Sequence, residues 1–191
     1  MHVDDLAAQL ATDVDGHFER LVLAYQDRLY AFALRLSANP QDAEEIAQDA
    51  FVHAYHALKR YEAERIRTMA LKPWLYQIAL NVFRNRARAR RPALVSLDSL
   101  GDGTGMEPED DEGDRPEPIT ERAERERELV AQVAALPERY RLALLLRYIG
   151  GLDYAEIAAV LGQPVGTVKS NVHRGVQRLR LAMVEQRIVA G

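Results

Sequence analysis

The sequence predicts an all-α fold: two small helical domains joined by a flexible acidic linker, the second containing a helix-turn-helix. Three observations carry this. The apolar residues recur with helical spacing, and no segment alternates with the period of two that a half-buried strand requires. Residues 92–119 interrupt that spacing with a run rich in Gly, Pro, Asp and Glu. Beyond it, residues 153–180 read as helix, tight turn and helix.

Length and composition narrow the field before any motif is considered. The 191 residues suit one or two small domains, and 48% apolar content is ample for a core. There is no run of about eighteen apolar residues that would span a membrane, and MHVDDLAAQL lacks the basic start of a signal peptide. The absence of cysteine excludes disulfides, cysteine zinc sites and thiol chemistry, and fits a reducing cytoplasm. The net charge of −4 conceals blocks of opposite sign. Residues 65–91 hold 8 bases and no acids, 92–120 hold 9 acids and one base, and 165–191 hold 5 bases and one acid. Two basic blocks around an acidic one attract phosphate locally, whatever the sign of the whole.

Taken in order, residues 1–14 read as a frayed lead-in and residues 15–91 as the first domain. Phe18, Leu21, Val22, Tyr25, Leu29, Phe32, Ala33 and Leu36 keep helical spacing. Asn39-Pro40 starts the next helix, because Asn caps a free N–H and Pro suits the first helical position. That helix buries Ala43, Ile46, Ala47, Ala50, Ala54 and Leu58, and shows an acidic and amide-bearing face opposite. Asp49, His53 and His56 share this face, but no further strong ligand follows at a useful spacing, so no metal is expected. Residues 59–70 are a charged connection with room for an irregular turn. A helix from about Lys72 to Arg90 turns Leu75, Ile78, Ala79 and Val82 inward and leaves Asn81, Arg84, Asn85, Arg88 and Arg91 as a polar, cationic stripe. Tyr61, Trp74 and Tyr76 beside that stripe supply the ingredients of single-strand binding, since bases stack on rings while arginines hold phosphates. For Trp74 a place in the core is an equal reading.

The acidic run at 92–119 cannot bury enough surface to offset its ordering entropy and reads as a tether. Its Asp/Gly pairs lack calcium-loop spacing. The second domain, 120–187, opens with a mixed-charge segment carrying Leu129, Val130, Val133 and Leu136. Pro137 then starts a strongly apolar helix through Leu142, Leu144, Leu145, Leu146, Tyr148 and Ile149, closed by Gly150-Gly151. In the helix-turn-helix, Ala158 is small where the helices cross and Gly162 stands where the turn needs φ > 0. Val168, Val172, Gly175, Val176 and Leu179 form the inward stripe of the second helix. Outside remain Lys169, Ser170, His173, Arg174, Gln177 and Arg180, without one carboxylate, a composition suited to a DNA major groove.

These segments resemble, in order, the motifs of the sigma-70 family of RNA polymerase sigma factors, in particular its small two-domain extracytoplasmic-function (ECF) group. DAEEIAQDAF (42–51) is similar to the family's polymerase-gripping helix of region 2. WLYQIALNVFRNRAR (74–88) is similar to its WLyrIArNlxxDxxR stretch, and residues 136–175 resemble region 4. The resemblance implies a core-polymerase-binding face at Asp42, Glu45, Gln48 and Asp49. It implies contacts to the −10 promoter element from the 59–72 connection and from Lys72, Trp74, Tyr76, Asn81, Arg84 and Arg88. Contacts to the −35 element would come from Thr167, Lys169, Ser170, His173 and Arg174. Leu80, Asn85, Asn171 and Gly175 depart from the family pattern, which bears on the promoter bases preferred. The implied function is a dissociable subunit that directs polymerase to promoters and promotes melting, with RNA polymerase core, promoter DNA and an anti-sigma factor as partners and no cofactor. A stand-alone helix-turn-helix regulator explains neither the second cationic helix with its aromatics nor the acidic face at 42–56. An enzyme would have only scattered histidines and carboxylates to work with.

Overall fold

The computed structural model describes residues 3–90 and 121–189; the expected linker at 92–119 lies outside the described residues. The elements are α1 (Val3–Thr12), α2 (Val14–Ser37), α3 (Pro40–Leu58), α4 (Ala63–Thr68), α5 (Leu71–Arg90), α6 (Glu121–Ala134), α7 (Glu138–Tyr148), α8 (Tyr154–Leu161) and α9 (Val165–Val189). Among the described residues there is no strand. No described helix is long and apolar enough to cross a membrane.

The first domain is organised by α2 and α3, which pack along each other and against α5. The α2–α3 joint is tight because Ala38 takes the left-handed conformation (φ 55°) and returns its N–H to Leu34 O at 2.8 Å. Asn39 then accepts from the Asp42 N–H at 3.0 Å, with Pro40 at the first helical position. All six apolar positions expected of α3 are buried. So are Leu75, Ala79 and Val82 of α5, joined by Tyr76 and Leu80.

Residues 3–12 correct the expected frayed lead-in. They form α1, which packs against α2 and α4 and buries Ala7 and Leu10, with Leu6 partly buried beside them. Its apolar stripe is short, so its spacing hardly stands out from chance. The 59–70 connection likewise contains one and a half turns of helix, α4, whose single buried residue is Ile66.

In the second domain α7 supplies the apolar wall, with Leu142 through Leu146 buried. Tyr148 departs from expectation: it is 65% exposed, because it lies past the point where α7 faces the core. Gly151 (φ 63°) turns the chain into α8, where Asp153 and Glu156 form a reciprocal capping box. Gly162 (φ 64°) ends α8 and starts the turn to α9 as anticipated.

The two halves do not hang apart. One buried cluster runs through both, from Leu21, Leu29 and Phe32 to Tyr76, and on through Leu144, Leu146, Leu152 and Ile157. Each half alone is of a size at which a core is marginal, so pooling apolar surface adds stability.

Candidate nucleic-acid interface

Three surfaces were expected to carry function, and their geometries differ. On α3, Gln48 is exposed while Asp42, Glu45 and Asp49 are half-buried. Arg86 of α5 explains two of these: its guanidinium pairs with Glu45 on one side and with Asp49 Oδ2 at 2.8 Å on the other. The acidic pair is therefore held in place from the neighbouring helix. Arg86 is absent from the stripe that the sequence predicts; two residues from both Arg84 and Arg88 it stands on the other side of the helix, but nothing local names α3 as what it meets there.

On α5, Asn81, Arg84 and Arg88 are exposed, as the polar stripe predicts. Arg88 donates to Asn85 Oδ1 at 2.5 Å, and Arg84 pairs with Glu138 of the second domain at 3.5 Å. Lys72 also reaches across, donating to Gly151 O at 2.7 Å and lying 3.7 Å from Glu156 Oε2. Tyr76 is not available for stacking in this arrangement, which corrects the expectation for it. It is fully buried, edge-on to Phe32 with ring centroids 5.1 Å apart, under the Gly150–Leu152 turn. Gly150 is required there, since a Cβ would come within 2.8 Å of Leu152 Cδ1 and 3.3 Å of the Tyr76 ring. Burial raises the Tyr76 pKa to about 12, and its hydroxyl has no protein hydrogen-bond partner.

Trp74 remains partly exposed, with the Tyr61 ring 6.1 Å away. Tyr61 carries Arg65 on its face at 3.7 Å, a cation–π contact that joins a ring and a guanidinium in the 59–72 connection. Behind it, Asp15 accepts from Tyr55 and from Lys59, both at 2.7 Å, tying the start of α2 to the end of α3. The Lys59 hydrogen bond, then that of Tyr55, lowers the Asp15 pKa.

On α9, Thr167, Lys169, Ser170, His173 and Arg174 are all exposed, on one side of a helix whose other side buries Val168, Val172 and Gly175. Gly175 permits a close crossing: a Cβ would meet Leu144 Cδ1 at 2.7 Å. Asn171 is the buried polar residue of this helix, and its amide donates to Gln163 of the turn at 3.3 Å. It thus braces the motif from inside. Hydrogen bonds from Arg139 and then Arg174 lower the Tyr140 pKa, so Arg174 leans on α7 as it reaches outward. Two residues missed at the sequence level lie alongside. Tyr148 and Tyr154 line a groove of about 240 Å³ with Lys169, His173, Gln177 and Arg180. The Tyr154 ring carries Arg147 at 5.0 Å and Lys169 at 5.7 Å. Of the two, Tyr148 belongs to the run that the sequence reads as strongly apolar, and Tyr154 opens the first helix of the helix-turn-helix.

Both halves of the chain match known proteins. Residues 21–92 match Sigma-70 region 2, and residues 126–179 match Sigma-70, region 4. The ECF RNA polymerase sigma factor SigW of Bacillus subtilis is 34% identical over 167 residues, 85% of this chain and 87% of that protein. The ECF RNA polymerase sigma factor SigE of Mycolicibacterium smegmatis is 34% identical over 163 residues, 85% of this chain, which spans 60% of that relative's length. Among solved structures, the sigma factor RpoE of Bartonella quintana, in complex with the anti-sigma factor NepR, is 25% identical with a TM-score of 0.63. That match covers 87% of this chain and 96% of that one.

Proposed function

The chain belongs to the sigma-70 family, in its ECF group, and from that membership we propose how its surfaces divide the work of promoter recognition. As a sigma subunit it directs RNA polymerase to promoters. The acidic face of α3, with Asp42, Glu45, Gln48 and Asp49, docks on the polymerase core. Arg86 keeps Glu45 and Asp49 in fixed positions for incoming cations. The second helix of the helix-turn-helix enters the −35 major groove with Thr167, Lys169, Ser170, His173 and Arg174. Asn81, Arg84 and Arg88 hold phosphates of the melted −10 strand while Trp74 and the 59–72 connection meet its bases.

The observation that carries this division is the pair of exposed cationic faces, one on α5 and one on α9, in two domains with separate family matches. A regulator acting without polymerase has use for only one. The chain itself catalyses nothing; bond formation belongs to the polymerase. Melting follows from binding: energy gained on the exposed strand shifts the closed complex toward the open one. While the domains stay packed, Tyr76 is covered and Lys72 and Arg84 are engaged, so DNA capture competes with that packing. An anti-sigma factor that binds the packed form would hold the chain inactive in the cytoplasm, and the likeness to RpoE bound to NepR supports such a partner. The test is transcription reconstituted with purified core polymerase on a promoter library. Initiation confined to particular promoters and dependent on this chain is expected; chain-dependent DNA binding without any change in initiation would overturn the reading.

A further inference from the structure

The N-terminal helix α1 lies outside the residues matched to region 2, which begin at 21. α4 is a six-residue helix without a side-chain N-cap bond, too short to persist by itself. Its seat is therefore tertiary, and it packs chiefly on α1. Ile66 of α4 (2% exposed) shares one apolar cluster with Ala7 (6%) and Leu10 (1%) of α1, and with Leu58 and Leu71 at the two ends of the connection. α1 is itself fixed to α2 by a hydrogen bond from Arg20 to Gln9. It also walls a cleft of about 300 Å³ whose other side is Lys59, Tyr61, Ala63 and Ile66. Tyr61, Arg65 and Arg67, the ring and cations of this connection, thus take their placement from a helix that precedes the domain in sequence.

We propose that α1 is a positioning element for −10 recognition: by seating Ile66 against Ala7 and Leu10 it sets Tyr61, Arg65 and Arg67 for contact with the melted strand. α1 touches no base; it fixes the aim of residues that do. The inference rests on the reading of residues 59–72 as a −10 contact, and the experiment separates the two.

The full chain is assembled with core polymerase, and three affinities are measured: for core, for a −35 duplex, and for single-stranded −10 oligonucleotides, matched and base-substituted. Leu10→Ala is expected to lower affinity for the matched −10 strand about tenfold and to erase most of its preference over substituted strands. Core and −35 affinities should stay within about twofold, and Leu10→Met should restore the preference by refilling the site. Ile66→Ala, made from the α4 side, should reproduce the pattern. Unchanged −10 affinity and discrimination in Leu10→Ala overturns the proposal. So does an equal fall in all three affinities, which would make α1 general scaffold. The underlying reading is tested by Arg65→Ala and Tyr61→Ala: if these leave −10 binding untouched, the connection has been misassigned, whatever α1 does.

Discussion

Lys72→Met is the sharpest probe of how firmly the two domains hold each other. The substitution keeps the aliphatic stem and deletes the charge that bonds Gly151 O at 2.7 Å and faces Glu156 at 3.7 Å. A hydrogen bond from a charged donor contributes roughly 1.5–3 kcal/mol when sheltered. Here the Lys72 side chain is 27% exposed, so the lower end applies, and the partly exposed Glu156 pair adds at most about 1 kcal/mol. Against this stands the Tyr76 hydroxyl, buried at the same junction with no protein partner, whose desolvation costs about 1–3 kcal/mol. The packed state is thus favoured by apolar burial with little polar surplus. Losing about 1.5–2 kcal/mol should shift the packed-to-separated ratio by roughly 10- to 30-fold. The chain has no cysteine, so dyes can be attached at Glu44→Cys and Gln177→Cys without background labelling. Energy transfer between them, in the absence of DNA and polymerase, should fall in the Lys72→Met variant. Transfer equal to that of the parent at low and moderate salt would refute the reasoning that Lys72 latches the domains.

Three further outcomes are expected. Gln48→Arg, exposed and outside the Arg86 pairings, should weaken core binding several-fold in pull-down or fluorescence titration with no change in Tm, whereas Asp49→Arg should also lose stability by setting two arginines together. Arg174→Ala should lower −35 duplex affinity by roughly 1–3 kcal/mol, while Arg84→Ala with Arg88→Ala should spare it and reduce permanganate reactivity of the melted strand. Between about pH 10 and about 12 the folded chain keeps the Tyr76 proton that the unfolded chain has lost. This contribution to stability is therefore whole below pH 10 and falls as pH rises through the window. A late phenolate transition in the ultraviolet titration, absent in Tyr76→Phe, checks it, and its return toward 10 in Lys72→Met would report the opened junction.

Much of this molecule was legible before its coordinates. The Asn39-Pro40 start, the Gly162 turn and the inward stripes of α2 and α3 follow from local rules that act over one or two turns. What escaped was set by distance along the chain. Tyr76 looked like a stacking ring because nothing near it says that a turn more than seventy residues later will cover it. Arg86 falls outside the stripe that the sequence predicts for α5, and only the packing of α3 beside α5 shows that it meets Glu45 and Asp49. Tyr148 looked like core because it follows Leu144 and Leu145 on the same face, yet as the last residue of α7 it stands in the open. α1 was overlooked for a different reason: a ten-residue amphipathic pattern carries too few apolar positions to stand apart from a tail.

The Arg86 bridge bears on how the α3 face meets a partner. Glu45, Asp49 and Arg86 together present a single net negative charge. Such a trio exerts little pull beyond a Debye length, about 8 Å at physiological salt. In the docking role proposed for this face, encounter with a basic partner gains little from electrostatic steering at these residues, and residence time is what they would lengthen. Removing the internal cation, as in Arg86→Met, would make the face more attractive at long range and less ordered on contact, exchanging duration for speed.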